Sequence, residues 1–216
     1  MKELDVLAYE SGVMPILFAE DTESIERVVN AIEQTKMPAV EILQRGDSAE
    51  EALKKAVKLK KNAYIGAGTV CTLEHAKRVA DLGADFIVSP GYNAEMVEWC
   101  VRNNLPVIPG VSNTSEVMMA VNAGLKLVKM YPFYQLGGEE FLNAIAGPFP
   151  DIKFVITGYV SDRELTYTAN KKIAAVGGVW MFQSETDHTV ISEEKIIERL
   201  TKSIEIANHY RNGWGL

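Results

Sequence analysis

One lysine of this chain stands among apolar residues, in the short run Leu127-Val-Lys-Met-Tyr-Pro132. Desolvation disfavours the charged ammonium, so Lys129 in such a setting is available as a neutral amine nucleophile. A neutral amine can attack a ketone and form an imine. Lys129 is therefore the first candidate for catalysis, and a structural ion pair is the alternative interpretation of a buried lysine.

Two charged residues, Glu41 and Arg45, lie in the run Val40-Glu-Ile-Leu-Gln-Arg45. A carboxylate beside a neutral amine can shuttle protons, which makes Glu41 the acid/base candidate. The alternative for Glu41 is a structural pair with Lys129 or Arg45. The guanidinium fork of Arg45 suits a carboxylate or a phosphate, and Thr69 adds one more donor. An arginine at the end of a strand is also an ordinary surface residue.

Glycine-rich segments follow or interrupt several apolar runs. Gly66-Ala-Gly-Thr69 allows a close backbone approach, and Thr157-Gly158 and Gly177-Gly178 fall where barrels often bind phosphate through backbone N–H groups. Ordinary tight turns are an equally good explanation of the last two pairs. The histidines form no ligand cluster, so we predict neither a metal nor a cofactor.

The elements that position these residues are eight short apolar runs separated by segments of helical periodicity. Such runs are typical of parallel strands that are buried on both faces. The alternation predicts an α/β fold, a single (β/α)8 TIM barrel over residues 1–216, with a C-terminal helix at about 193–208 on its exterior. A doubly wound open sheet is the alternative, but the first strand lacks a G-x-G-x-x-G turn. The runs are Val13–Ala19, Ala39–Gln44, Ala63–Val70, Phe86–Pro90, Pro106–Val111, Leu127–Pro132, Lys153–Gly158 and Ile173–Val179.

Strand parity sorts the polar residues, since alternate side chains face opposite sides of a sheet. Glu41 and Arg45 share one face of their strand, and Thr69 shares a face with Ile65. The outer faces must meet apolar helices, so these sets and Lys129 are predicted to point into the barrel mouth.

Composition limits the partners. The chain has 216 residues, a formal net charge of −7 and no apolar run as long as a membrane span. The acidic balance argues against nucleic acid, whereas a local basic pocket still allows a small anionic substrate. Cys71 and Cys100 are too few for a disulfide framework, and we expect a cytoplasmic protein.

An ordered series of motifs from about residue 12 to residue 180 resembles the class I 2-keto-3-deoxy-6-phosphogluconate (KDPG) and 4-hydroxy-2-oxoglutarate (KHG) aldolases. The motifs are Val40-Glu-Ile-Leu-Gln-Arg45, Ile65-Gly-Ala-Gly-Thr-Val70, Ile87-Val-Ser-Pro-Gly91, Ile108-Pro-Gly-Val-Ser112, Gly124-Leu-Lys-Leu-Val-Lys-Met-Tyr-Pro132 and Ala144-Ile-Ala-Gly-Pro148.

The resemblance implies a homotrimeric barrel that cleaves a 2-keto-4-hydroxy acid to pyruvate and an aldehyde of the glyceraldehyde 3-phosphate or glyoxylate type, without metal or cofactor. It implies roles for ten residues. These are the Schiff-base lysine Lys129, the acid/base Glu41, the pyruvate-binding Arg45, Thr69, Pro90 and Tyr131, and the aldehyde-end Thr157, Gly158, Gly177 and Gly178.

Several positions depart from the family pattern. Tyr159 and Val179 stand where the family has glycine and often serine in its phosphate loops, and we expect Tyr159 to crowd that loop. Leu43 replaces a common threonine, and Tyr131 a common phenylalanine. The sequence therefore leaves open whether the substrate is phosphorylated. A phosphosugar isomerase or epimerase, or a non-catalytic sugar-acid-binding barrel, remains the alternative on the same fold.

Overall fold

The computed structural model describes residues 8, 10–19, 22–184, 186–187 and 189–213. In these described residues, short strands alternate with helices from β1 to the C-terminal helix. The strands are β1 Val13–Leu17, β2 Ala39–Leu43, β3 Tyr64–Gly68, β4 Phe86–Val88, β5 Val107–Ile108, β6 Gly110–Val111, β7 Leu127–Met130, β8 Lys153–Thr157 and β9 Ile173–Gly178. The helices are α1 Ile25–Thr35, α2 Ala49–Leu59, α3 Leu73–Asp81, α4 Ala94–Arg102, α5 Thr114–Asn122, α6 Gly138–Ala146, a 3₁₀ helix Asp162–Ala169 and α7 Glu193–Arg211.

The sheet closes into a barrel. Its hydrogen-bonded order is β5-β4-β3-β2-β1-β9-β8-β7-β6, with β5 at one end and β6 at the other. These two are halves of one strand interrupted at Pro109, which has no N–H for the ladder. The carbonyl of Pro109 accepts a hydrogen bond from the N–H of Lys129 at 2.9 Å. The two ends of the sheet thus join, and the prediction of a (β/α)8 barrel is confirmed.

Two apolar layers hold the barrel together. The outer layer joins the outward side chains of the strands, such as Val40, Ile42 and Val128, to the helices. The smaller inner layer fills the interior of the barrel with residues from the other face of the strands. They are Met14, Ala39, Phe86, Val88, Ile108, Leu127, Val155 and, where the pairing of β8 with β9 shifts register, the consecutive Ala174 and Ala175. Burying both faces explains why each strand reads as a continuous apolar run.

The parity prediction is wrong for the face of β3 that carries Ile65. Ile65 and Ala67 belong to the outer layer, and the inward positions of β3 are the glycines Gly66 and Gly68. A Cβ at Gly66 would lie 2.2 Å from the Phe86 ring, so the neighbouring side chain fills the space that a glycine leaves. Thr69 lies beyond the strand with φ of 61°, so strand parity no longer governs where it points.

Helix α5 is capped by Asn113, whose side chain accepts a hydrogen bond from the N–H of Glu116. The C-terminal helix α7 runs to Arg211, beyond the predicted end near 208, and packs against α1 and the 3₁₀ helix. None of the helices in the described part of the chain is both long and apolar enough to span a bilayer.

Candidate active site

Lys129 and Glu41 meet inside the barrel. Lys129 lies in β7 and Glu41 in β2, and Nζ of the lysine is 3.5 Å from Oε1 of the glutamate. Lys129 is 7% exposed and Glu41 1% exposed. Their strand neighbours Val128, Met130, Val40 and Ile42 lie in the outer layer, so both charged side chains are on the inner face, as strand parity predicts.

Gly68 supplies the space for the carboxylate. In the register of the sheet, Glu41 is opposite Gly66 and Leu43 is opposite Gly68. A Cβ at Gly68 would stand 2.1 Å from Oε1 of Glu41, closer than any real contact. A glycine is therefore required on β3 for the glutamate side chain to take this position.

Arg45 and Thr69 form a second polar pair at the ends of β2 and β3. Nε of Arg45 donates to Oγ1 of Thr69 at 3.0 Å. Arg45 is exposed and Thr69 half-buried, so this pair lies nearer the solvent than Lys129 and Glu41. Because Arg45 binds Thr69 through Nε, its two Nη groups can still donate hydrogen bonds to an anionic ligand.

Tyr131 lies beside the lysine, and Pro90 lies beside the neighbouring strand half β6. The ammonium of Lys129 lies 5.4 Å from the centroid of the Tyr131 ring. Gly158 also packs against that ring, where a Cβ would be 3.1 Å from Cδ2. The Pro90 carbonyl lies against Gly110, whose strand half β6 pairs with β7 at Lys129. Tyr131 thus contacts the lysine directly, whereas Pro90 adjoins the strand half that pairs with it.

Thr157 ends β8 on the inner face. Its strand neighbour Val155 is opposite Lys129 and belongs to the inner layer, so Thr157 lies one inner layer above the lysine. Thr157 is 2% exposed, and its Oγ1 has no hydrogen-bond partner among the described residues. A buried hydroxyl without a partner is costly and marks a position where a polar ligand atom fits.

The two glycines near Thr157, Gly177 and Gly178, lie within β9, which extends to Gly178. A Cβ at Gly177 would be 2.8 Å from Cγ2 of Thr157, so Gly177 leaves room for that side chain. Gly178 is covered by the Trp180 ring. The pair therefore serves close packing in the strand.

Tyr159 does not crowd the loop as expected. Its backbone has φ of 57° and its side chain is 85% exposed, so the ring projects into solvent. Val179, the other departure from the family pattern, is 36% exposed.

A hydrogen-bonded group between the loop after β7 and the start of the 3₁₀ helix after β8 was not predicted from the sequence. Tyr134 Oη donates to Oε1 of Glu164 at 2.6 Å, and the N–H and hydroxyl of Ser161 donate to Oε2 of Glu164. Burial raises the pKa of Glu164, but these hydrogen bonds outweigh it and hold the pKa below its ordinary value. The Ser-x-x-Glu spacing of a capping box was the available signal.

The arrangement combines a buried amine, a carboxylate within reach of it, and a guanidinium with a hydroxyl nearer the solvent. These groups can form an imine, move a proton and hold a carboxylate without further components. In the described ranges, no group of three or more His, Cys, Asp or Glu residues is placed to hold a metal ion.

Comparisons with known proteins agree with this chemistry. A family model described as KDPG and KHG aldolase matches residues 5–196. A 2-dehydro-3-deoxy-phosphogluconate aldolase from Treponema pallidum is 32% identical over 81% of this chain and 83% of its own length.

Two solved structures are also similar over 95% of this chain and 97% of their own. The 2-keto-3-deoxy-6-phosphogluconate aldolase of Zymomonas mobilis with 3-phosphoglycerate has a TM-score of 0.86 at 28% identity. The KDPG aldolase of Legionella pneumophila has a TM-score of 0.80 at 27% identity, and in that structure pyruvate was captured as a covalent carbinolamine.

Proposed function

This chain belongs to the KDPG and KHG aldolase family, and from that premise we propose that it is a class I aldolase that cleaves a 2-keto-4-hydroxy acid to pyruvate and an aldehyde. The observation that carries the proposal is the buried pair of Lys129 and Glu41, with 3.5 Å between Nζ and Oε1. An amine nucleophile and a proton carrier at this separation are what imine chemistry requires.

In the first half of the reaction, Nζ of Lys129 attacks C2 of the substrate. The ketone oxygen takes up a proton to form a carbinolamine, and loss of water leaves an iminium ion. A neutral amine is needed for the attack. Glu41 can accept the proton of Lys129, because the two groups are within hydrogen-bonding distance in a site shielded from water.

In the second half, Glu41 removes the proton of the C4 hydroxyl, directly or through a water molecule. The C3–C4 bond breaks, its electron pair forms the C2–C3 double bond of an enamine, and the C4 fragment leaves as an aldehyde. Glu41 returns the proton to C3, and hydrolysis of the resulting iminium releases pyruvate and regenerates Lys129. The iminium nitrogen is the electron sink, so no metal is needed.

The remaining residues bind the substrate. Arg45 and Thr69 hold the carboxylate of the pyruvate half, since both present donors beyond the buried pair. Pro90 and Tyr131 form the walls on either side of the reacting carbon. Thr157, with its free hydroxyl, and the segments at Gly158, Gly177 and Gly178 line the aldehyde end.

A coupled assay for pyruvate release tests this function. Wild-type protein is expected to release pyruvate from 2-keto-3-deoxy sugar acids or 4-hydroxy-2-oxoglutarate, and Lys129→Ala to lose that activity by about 10⁴-fold or more. Lys126→Ala is the matched control, because Lys126 is exposed just before the same strand and should leave the rate unchanged. Pyruvate release by Lys129→Ala at the wild-type rate would contradict the imine mechanism, and a wild-type protein that releases no pyruvate would favour the isomerase.

We also propose that residues 1–216 form one domain that assembles as a homotrimer in the cytoplasm. The support is an apolar outer face on α4 and α5, where Val101, Met118, Met119 and Val121 are each more than 40% exposed. A patch of this kind fits association with copies of the chain. Light scattering on the wild type and on Met118→Glu tests it, with a trimer expected only for the wild type.

A further inference from the structure

The described parts of three neighbouring loops at the mouth of the barrel carry no positive charge. These loops follow β8, β9 and β1, and their described positions are 158–161, 179–184, 186–187, 189–192, 18–19 and 22–24. These positions include no Lys or Arg, and they include the acidic residues Glu23 and Asp187. The positive groups Arg45 and Lys129 come from the end of β2 and from β7. The described loop segments at the aldehyde end thus supply no cation to balance an anion.

Two arginines reach the loop after β9 from helices, and both bind its backbone. Arg199 Nη1 donates to the carbonyls of Trp180 and Gln183, and Arg27 Nη2 donates to the carbonyl of Val190. These contacts hold the loop in place. The guanidinium N–H groups that make these contacts therefore point to carbonyls of the loop itself.

A carboxylate of the protein occupies the start of the 3₁₀ helix after β8. In barrels, the N-terminus of a short helix at this place often holds a phosphate. Here Oε2 of Glu164 accepts the Ser161 N–H at 2.5 Å and the Ser161 hydroxyl at 3.0 Å, and Oε1 accepts from Tyr134. The Val160 carbonyl lies 3.2 Å from where a Cβ of Gly178 would be, so this loop adjoins the end of β9.

The inward residues at this end of the barrel are neutral. Ile16 of β1 lies beside Gly177, and Thr157 contributes one buried hydroxyl without a described partner. Such a lining favours a hydroxylated, uncharged ligand over an anion, because a buried unpaired charge would be far more costly than a hydroxyl.

We propose that the aldehyde half of the substrate is a neutral polyol, so that the enzyme acts on unphosphorylated 2-keto-3-deoxy sugar acids and discriminates against their phosphate esters. This specificity rests on the proposed aldolase function. Glu164, held by Ser161 and Tyr134, is the residue that repels a terminal phosphate. Thr157 hydrogen-bonds to a hydroxyl of the neutral tail.

The test compares kcat/KM for 2-keto-3-deoxygluconate and its 6-phosphate with the same wild-type preparation, alongside borohydride trapping with pyruvate. We expect a preference of about tenfold or more for the unphosphorylated compound. A smaller preference, or one for the phosphate ester, overturns the inference and leaves the aldolase function intact if pyruvate is still trapped. Absence of trapping overturns the aldolase function itself.

Glu164→Gln tests the assigned residue. Glutamine keeps an acceptor for Ser161 but removes the charge, so the relative kcat/KM for the phosphate ester should rise by about threefold or more. Glu116→Gln is the matched control, because Glu116 in the first turn of α5 likewise accepts the N–H and hydroxyl of Ser112, at 2.6 and 3.0 Å. If both variants change the relative kcat/KM for the phosphate ester equally, or if Glu164→Gln does not change it, Glu164 does not discriminate against the phosphate.

Discussion

The carboxylate of Glu41 rests directly against Gly68, so that a Cβ at position 68 would stand 2.1 Å from Oε1 and 2.6 Å from Cγ. The acid/base group of β2 is thus positioned by the absence of a side chain on β3. Gly68 does not touch the reacting atoms in our mechanism. It acts as a positioning residue for the group that does.

Gly68→Ala is expected to lower kcat by about 10²-fold, because Glu41 must move away from Lys129. Backbone strain is not the cause, since Gly68 is absent from the positions with positive φ. Gly66→Ala is the control: it clashes with the Phe86 ring and should lower Tm more than it lowers kcat. Steady-state kinetics with thermal melts separate the two effects. A normal rate for folded Gly68→Ala would show that Glu41 can act from another position.

Glu41→Gln should reduce cleavage by about 10²- to 10⁴-fold, the usual range for a general acid/base. The amide retains the size of the carboxylate, so the barrel should fold and Lys129 should still be present in the site. The measurement is pyruvate release under saturating substrate, with circular dichroism as the check on folding. Cleavage at the wild-type rate would mean that the Lys129–Glu41 contact is only structural.

Arg45→Ala should raise the pyruvate concentration needed for half-maximal trapping by about tenfold or more, as a charged hydrogen bond to a carboxylate is lost. Thr69→Val should give a smaller increase, since it removes one hydroxyl and keeps the branched shape. Arg102→Ala is the control, because Arg102 pairs with Glu98 on the exposed surface of α4. If Arg102→Ala and Arg45→Ala behave alike, Arg45 has no role in binding.

Glu33 makes part of the stability pH-dependent. Burial raises its pKa, but hydrogen bonds from the backbone N–H groups of Asn62, Lys61 and Ala63 outweigh burial, so the pKa lies below its ordinary value of 4.5. The stabilisation is therefore present above pH 4.5 and is lost as the pH falls through the lowered pKa.

Glu33→Gln should consequently have a lower Tm than the wild type at neutral pH, and the difference should shrink on acidification. Thermal melts between neutral pH and the acid range measure it. A Tm difference that stays constant over this range would show that the charge of Glu33 contributes nothing.

Much of the site could be predicted because side chains along β2 and β7 alternate regularly between the inner and outer faces of the barrel. Glu41 and Lys129 each have outward neighbours that must meet helices, so the inner face is the place left for charge. The apolar runs likewise predicted the strands, since both faces of each strand are buried.

The errors fall where parity carries no signal. In β3, the inward residues are glycines, which have no side chain to mark a face, so Ile65 was assigned to the wrong side. Thr69 contacts Arg45 with its backbone in the left-handed conformation, which the presence of a threonine does not predict. The exposure of Tyr159 depends on the same conformation. The hydrogen bond of Tyr134 to Glu164 joins the loop after β7 to the 3₁₀ helix, 30 positions further along the chain, and a local pattern does not reveal such a contact.

The most direct test of the central claim is mass spectrometry of the protein after incubation with pyruvate and borohydride. Our account predicts one reduced pyruvyl group per chain, on the peptide containing Lys129, with the peptides of Lys126 and Lys153 unmodified. An unmodified protein, or an adduct on another lysine that persists in Lys129→Ala, would contradict it.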